Sequence, residues 1–141
     1  GSNNPQNGVA ALETLTTNGT TQLNNALGWK GVNRWSCAGT NEDVWINGNK
    51  IKYFSWTGTS VWTNWTDITD PFLGVTSLAF GNEPNDGLVG ECSTKMGNVI
   101  GTHYDMNHVD AINHLFGARS WSTDPISLYR SHANRLKNRG L

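Results

Sequence analysis

Aspartate and histidine are the residue types here best suited to acid-base chemistry near neutral pH. The chain has four histidines, His103, His108, His114 and His132. His108 stands apart because it follows a strand-like stretch and precedes a helix-like one. A loop just past the C-terminal end of a strand is where open α/β sheets place their chemistry. Asp86, in Asn85-Asp86-Gly87, sits on a comparable loop, although aspartate before glycine is also an ordinary turn residue. For acyl transfer the two would supply the acid and base of a nucleophilic relay. The carboxylate accepts a hydrogen bond from one imidazole nitrogen, fixing the tautomer and stabilising the imidazolium. The other nitrogen takes the proton of a serine. His103, inside a strand, and His132, inside the terminal helix, read as structural.

The nucleophile is absent from residues 1–141. No Gly-x-Ser-x-Gly elbow and no HGGG-type oxyanion loop occurs. Ser55, Ser60 and Ser120 lie near glycines or tryptophans but not in such an elbow. The order Asp86 then His108 matches the last two members of the Ser, Asp, His order of α/β-hydrolases.

Asp67, Asp70 and Asp110 form a second set, carboxylates on loops or helix starts. Calcium takes hard oxygen ligands of this kind, although no EF-hand pattern is present. Zinc is disfavoured by two distant cysteines and the lack of HExxH. Trp62 and Trp65, in a polar loop, suit a sugar-stacking platform or, more simply, fill gaps beneath long loops.

Composition sets the frame. A net charge of −1 with no basic patch argues against nucleic acid as a partner. The most basic stretch, Arg130, Arg135, Lys137 and Arg139, has the helical spacing of a solvated face. Only 36% of residues are hydrophobic, so core-forming material is scarce. No apolar run reaches the roughly 18 residues of a membrane span. The two cysteines, Cys37 and Cys92, read as one disulfide of an exported protein, with two buried free thiols as the alternative.

The positioning elements follow from pattern. Val9, Leu12 and Leu15 suggest a short helix ending near Thr16, and a second helix spans about 20–26, stopped by Gly28. Residues 44–46 and 51–56 read as a hairpin around Asn47-Gly48-Asn49. Asp70-Pro71 starts a helix through Leu78. Residues 81–87 form a loop, 99–104 a strand, and 110–116 a short helix stopped by Gly117. Asp124 and Pro125 begin the clearest helix, with an apolar stripe of Ile126, Tyr129, Ala133 and Leu136 and a stop at Gly140. Three good strands at most are too few to close a doubly covered sheet.

Several linked motifs then resemble one family. They are Tyr53-Phe54-Ser55-Trp56-Thr57-Gly58, Asn85-Asp86-Gly87-Leu88-Val89-Gly90 with Cys92-Ser93, and Met106-Asn107-His108 with Asp110, Asn113 and Phe116-Gly117. Last comes His132-Ala133-Asn134-Arg135-Leu136-Lys137-Asn138. In this order, over roughly residues 9–141, they resemble the Pseudomonas-type, foldase-dependent secreted bacterial triacylglycerol lipases. The resemblance implies the C-terminal part of an α/β-hydrolase: the last sheet strands, an antiparallel hairpin and covering helices, with residues 1–141 as part of one domain, incomplete without an N-terminal portion. It implies triad roles for Asp86 and His108, which are 22 residues apart as in the family, and the family's single disulfide at Cys37 and Cys92. It implies a structural Ca2+ held by the carboxylates of Asp67 and Asp110 and the backbone carbonyls of His114 and Ala118. Histidine at 114 replaces the usual glutamine, a change that a carbonyl ligand tolerates, and the loop before Asp86 is one residue shorter than in the most similar members.

Further implications are secretion through the periplasm, hydrolysis of long-chain triacylglycerol at a lipid interface, and a lipase-specific foldase as partner. The serine, oxyanion hole and lid are expected on an N-terminal portion, so residues 1–141 alone are expected to be inactive. The rival reading is a calcium-dependent carbohydrate-binding module using Trp62 and Trp65.

Overall fold

The structure is a computed structural model, and it describes residues 8–63, 70–112 and 119–141. Mixed helices and small sheets alternate along the chain. Helices α1 (Gly8–Leu15) and α2 (Thr17–Leu27) come first, then strands β1 (Asp43–Ile46), β2 (Asn49–Lys52) and β3 (Phe54–Gly58). Helix α3 (Asp70–Ser77), strand β4 (Asn98–Tyr104) and helix α4 (Pro125–Lys137) complete the set, with short 3₁₀ turns between them.

Thr16 caps α2, its hydroxyl accepting from Gly19 N at 3.2 Å, so the helix starts earlier than the sequence pattern suggests. Gly28, at φ +63°, ends it as expected. Of the stripe expected on α1, the side chains of Val9 and Leu12 lie outside the described set, and Leu15 is at the surface.

The run 51–56 is not one strand. Residues 49–52 pair antiparallel with β1 in a hairpin whose two-residue turn is Asn47-Gly48, at φ +50° and +79°. Positive φ at both positions is what a type I′ turn requires. Beyond Tyr53 the chain leaves that hairpin, and β3 pairs in parallel with β4, register Phe54 to Asn98 through Gly58 to Tyr104 with irregularities between. The same β-branched and aromatic run thus serves two sheets. Periodicity shows that residues are extended but not which neighbour they pair with.

Alternate residues of β3 face α4. The ring of His132 packs against those of Phe54 and Trp56, at 5.4 and 5.1 Å, and Tyr129 meets Trp56 edge-on. Leu128, His132 and Leu136 are therefore partly covered, whereas Ile126, Tyr129 and Ala133 of the expected stripe are exposed. The helix is rotated from the apolar pattern because its inward anchor is an aromatic histidine, which a hydrophobicity count scores as polar. Arg139 also departs from a solvated face. Its guanidinium lies 5.0 Å over Phe54 and pairs with Glu42 at 2.9 Å, closing the chain end onto the hairpin, while Lys52 reaches Glu42 at 2.8 Å.

Among the described residues the buried hydrophobic side chains are Val44, Leu73, Phe80 and Met106. Trp29, Trp35, Trp45, Trp62 and Trp121 are exposed, Trp35 at 95%. Trp62 thus does not fill a gap as expected, because so small a core does not cover it. Trp65 lies outside the described residues. The Cys37–Cys92 disulfide is formed and closes a separation of 55 residues. On chain entropy alone a loop of this size is worth about 4 kcal/mol. No described helix is long and apolar enough to cross a membrane.

The hydrogen bonds from Arg139, and then from Lys52, lower the Glu42 pKa from 4.5 to about 2. A depressed carboxylate pKa favours the folded state fully above 4.5, and this contribution is lost as pH falls from there towards about 2. In the full-length protein Glu42→Gln is expected to lower the melting temperature above that window, the gap to wild type closing as pH falls through it. A pH-independent gap would refute the assignment.

Candidate active site

Two loops meet beside α3. The first spans residues 83–92. Asn85 and Gly90 form a β-bridge, and Glu91 N donates to Pro84 O at 2.7 Å, so the loop closes on itself. Within it the Asp86 carboxylate is fixed by the turn it caps. Its Oδ1 accepts from Leu88 N at 3.1 Å and Val89 N at 2.9 Å. Glu83 Oε1 accepts from Cys92 N at 3.1 Å and from the Thr17 hydroxyl, tying the loop to the disulfide and to α2.

The second loop leaves the C-terminal end of β4 and carries His108. Thr59 N donates to Tyr104 O at 3.0 Å, which joins this exit to that of β3. Asp105 accepts from Ser120 at 3.0 Å and from Ser122, bringing in the segment before α4. Those hydroxyls, with that of Ser60, hold its carboxyl below the usual range, led by Ser122, against burial, which raises it.

The two loops join at one pair. His108 Nδ1 lies 2.9 Å from Asp86 Oδ2, and His108 N donates to Asp86 O at 2.8 Å. Asp86 is buried, whereas the His108 side chain is 44% exposed. The hydrogen bond that the His108 ring donates to Asp86 raises the His108 pKa above its ordinary value, while burial opposes it. A buried carboxylate on Nδ1 leaves Nε2 as the ring nitrogen for an external partner.

Asp110, two residues beyond His108, is 0% exposed. Its Oδ2 accepts from Asn107 N at 3.0 Å and Thr63 Oγ1 at 2.7 Å. Among the described residues no group of three or more His, Cys, Asp or Glu side chains gathers at metal-binding range. Asp67, His114 and Ala118 lie outside the described residues, as does the end of the helix expected over 110–116. Its described part is a 3₁₀ turn, Asp110–Ile112.

Three residues carry more of this geometry than sequence reading assigned them. Asn107 and Thr63 bridge the acids, and Thr76 donates its hydroxyl to Gly87 O. Threonine and asparagine are so common in this chain that neither type singles out a position.

The chain is 45% identical over 142 residues to a triacylglycerol lipase of Vibrio cholerae, a match covering 100% of this chain and 44% of that lipase. It belongs to the bacterial triacylglycerol lipases. A lipase of Pseudomonas fragi is 34% identical over 145 residues, covering 97% of this chain and 48% of its own. One from Burkholderia plantarii is 33% identical over 165 residues, covering 99% and 46%. This lipase-family chain thus spans about half the length of the curated relatives it matches. No family model matches it.

Gly87 sits at φ +98°, and a Cβ there would lie 2.6 Å from Leu73 Cβ. Both conditions fall directly after Asp86. Gly87→Ala is expected to cost about 1–3 kcal/mol in stability, from backbone strain and overpacking. Urea unfolding of the full-length protein checks it, and an unchanged midpoint would refute it.

Proposed function

We propose that the complete protein is a serine-type triacylglycerol lipase with an α/β-hydrolase fold, in which residues 1–141 supply the acid and the base. The observation that carries this reading is the 2.9 Å contact between His108 Nδ1 and buried Asp86. Kinship with triacylglycerol lipases and the placement of His108 past a parallel strand support it.

The chemistry runs in two halves. His108 Nε2 accepts the proton of a serine hydroxyl on the remainder of the protein as the serine oxygen attacks the ester carbonyl carbon. The imidazolium then protonates the departing glycerol oxygen, leaving an acyl-serine. Water attacks that ester, giving its proton to His108, which returns it to the serine as the fatty acid leaves. The Asp86 carboxylate orients the ring and stabilises its charged form. Long-chain esters at an oil–water interface are the substrate class. Export through the periplasm with a lipase-specific foldase belongs to the same reading, and the disulfide suits an oxidising compartment.

Calcium fits the donor chemistry. The fully buried Asp110 carboxylate is a hard oxygen donor beside the His108 turn. Asp67 and Asp110 carboxylates with the His114 and Ala118 carbonyls would hold the ion. Its charge would pin the loop that carries the base, without touching the reacting carbonyl.

In the full-length enzyme, Asp86→Asn is expected to lower kcat by about 10⁴-fold, since the amide no longer enforces the working tautomer. Residues 1–141 alone are expected to show no ester turnover. Turnover by that purified chain, stopped by a serine-directed inhibitor, would overturn the division of the triad. Calcium removal is expected to lower both melting temperature and activity, and Asp110→Asn to abolish the calcium dependence. A melting temperature indifferent to a chelator would remove the ion from the scheme.

A further inference from the structure

Helix α3 touches both halves of the Asp86 and His108 pair. At its middle, Leu73 packs against Gly87 and Thr76 donates to Gly87 O, so the Asp86 loop rests on it. At its start, Asp70 is 1% exposed and accepts from Thr63 N at 2.9 Å and from Asn107 Nδ2 at 2.7 Å. Asn107 precedes His108 and is 0% exposed. Its Oδ1 accepts from Val109 N at 2.8 Å and Asp110 N at 2.9 Å, which folds the turn around the histidine. Its Nδ2 donates to Asp70 and, at 3.3 Å, to Thr63 Oγ1.

We propose that α3 sets the distance between Asp86 and His108, and that Asn107 is the positioning residue clamping the histidine turn to it. The inference rests on the reading of Asp86 and His108 as relay members. Asparagine is suited to the task because one side chain presents an acceptor to the turn and a two-hydrogen donor to the helix. Aspartate at 107 keeps the acceptor side but turns a carboxylate oxygen towards Asp70. The repulsion moves the turn, and His108 with it, while the Asp86 loop stays on α3. Exchanging both residues, Asp70→Asn with Asn107→Asp, restores donor and acceptor in reversed order and preserves net charge.

The test measures kcat and KM of the full-length enzyme on a soluble ester with calcium in excess, per active site titrated by a serine-directed inhibitor. Asn107→Asp is expected to lower kcat roughly 10- to 100-fold, as a small misplacement of a catalytic group does. KM stays within about twofold, the sign of a loss confined to the transition state. The double exchange recovers most of kcat. A residue that only stabilised the fold would lower melting temperature and the number of titrated sites, not kcat per site. Wild-type kcat per site in Asn107→Asp, or no recovery in the exchange, overturns the inference. Should Asn107→Asp not fold, Thr76→Val tests the other end of the brace. A lowered kcat supports the inference and an unaltered one overturns it. His108→Ala in the same assay separates the two levels. If it retains turnover, the relay reading itself fails. If it abolishes turnover while Asn107→Asp behaves as wild type, only the clamp fails.

Discussion

Asp70, Asp86 and Asp110 are 1%, 7% and 0% exposed, and a carboxylate removed from water must regain hydrogen bonds or lose its charge. Each accepts hydrogen bonds from backbone amides, side chains or both. Asp86 takes two amides of its own turn and the ring of His108. Asp70 takes Thr63 N and Asn107 Nδ2, and Asp110 takes Asn107 N and the Thr63 hydroxyl. The loops around the site are thus organised by hydrogen bonds to buried carboxylates. Leu73, Phe80 and Met106 are the buried apolar side chains nearest to them in sequence.

This economy suits a site on loops. Apolar packing is non-directional and tolerates small shifts, whereas hydrogen bonds of 2.7–3.0 Å weaken steeply with misalignment. A pair that must keep Nδ1 against a carboxylate benefits from directional holders. The disulfide and Glu83 hold one loop and the Asn107 network holds the other, so neither depends on a wide core beneath it. The exposed tryptophans belong to the same picture. A chain spanning about half the length of its relatives shows large aromatic surface that its own core does not cover.

Away from the site, α4 shows how mixed character anchors an element. His132 packs edge-on and tilted against Phe54 and Trp56, and its pKa is lowered, first by burial and then by nearby Arg135. Arg139 completes the seam by lying over Phe54 while pairing with Glu42. Each of these side chains joins an apolar or aromatic contact to a polar one, and together they fix the chain end on β3 and on the residue before β1.

Much was legible in the residues themselves. Asn47-Gly48 specified its turn because asparagine and glycine adopt positive φ cheaply, and Asp124-Pro125 specified the start of α4 because cap and ring act locally. Asp86 and His108 were visible as candidates by type, loop placement and motif. Local signals did not reveal that 49–52 and 54–58 pair with different partners, that α4 turns His132 inward, or that Asn107 links two buried acids. These depend on which surfaces meet at long range, and alternation or helical spacing carries no record of the partner. The sequence by itself determined the chemistry on offer and the turns that present it. Tertiary structure decided the distances, because hydrogen bonds between residues 22 to 47 positions apart exist only once the chain has closed upon itself.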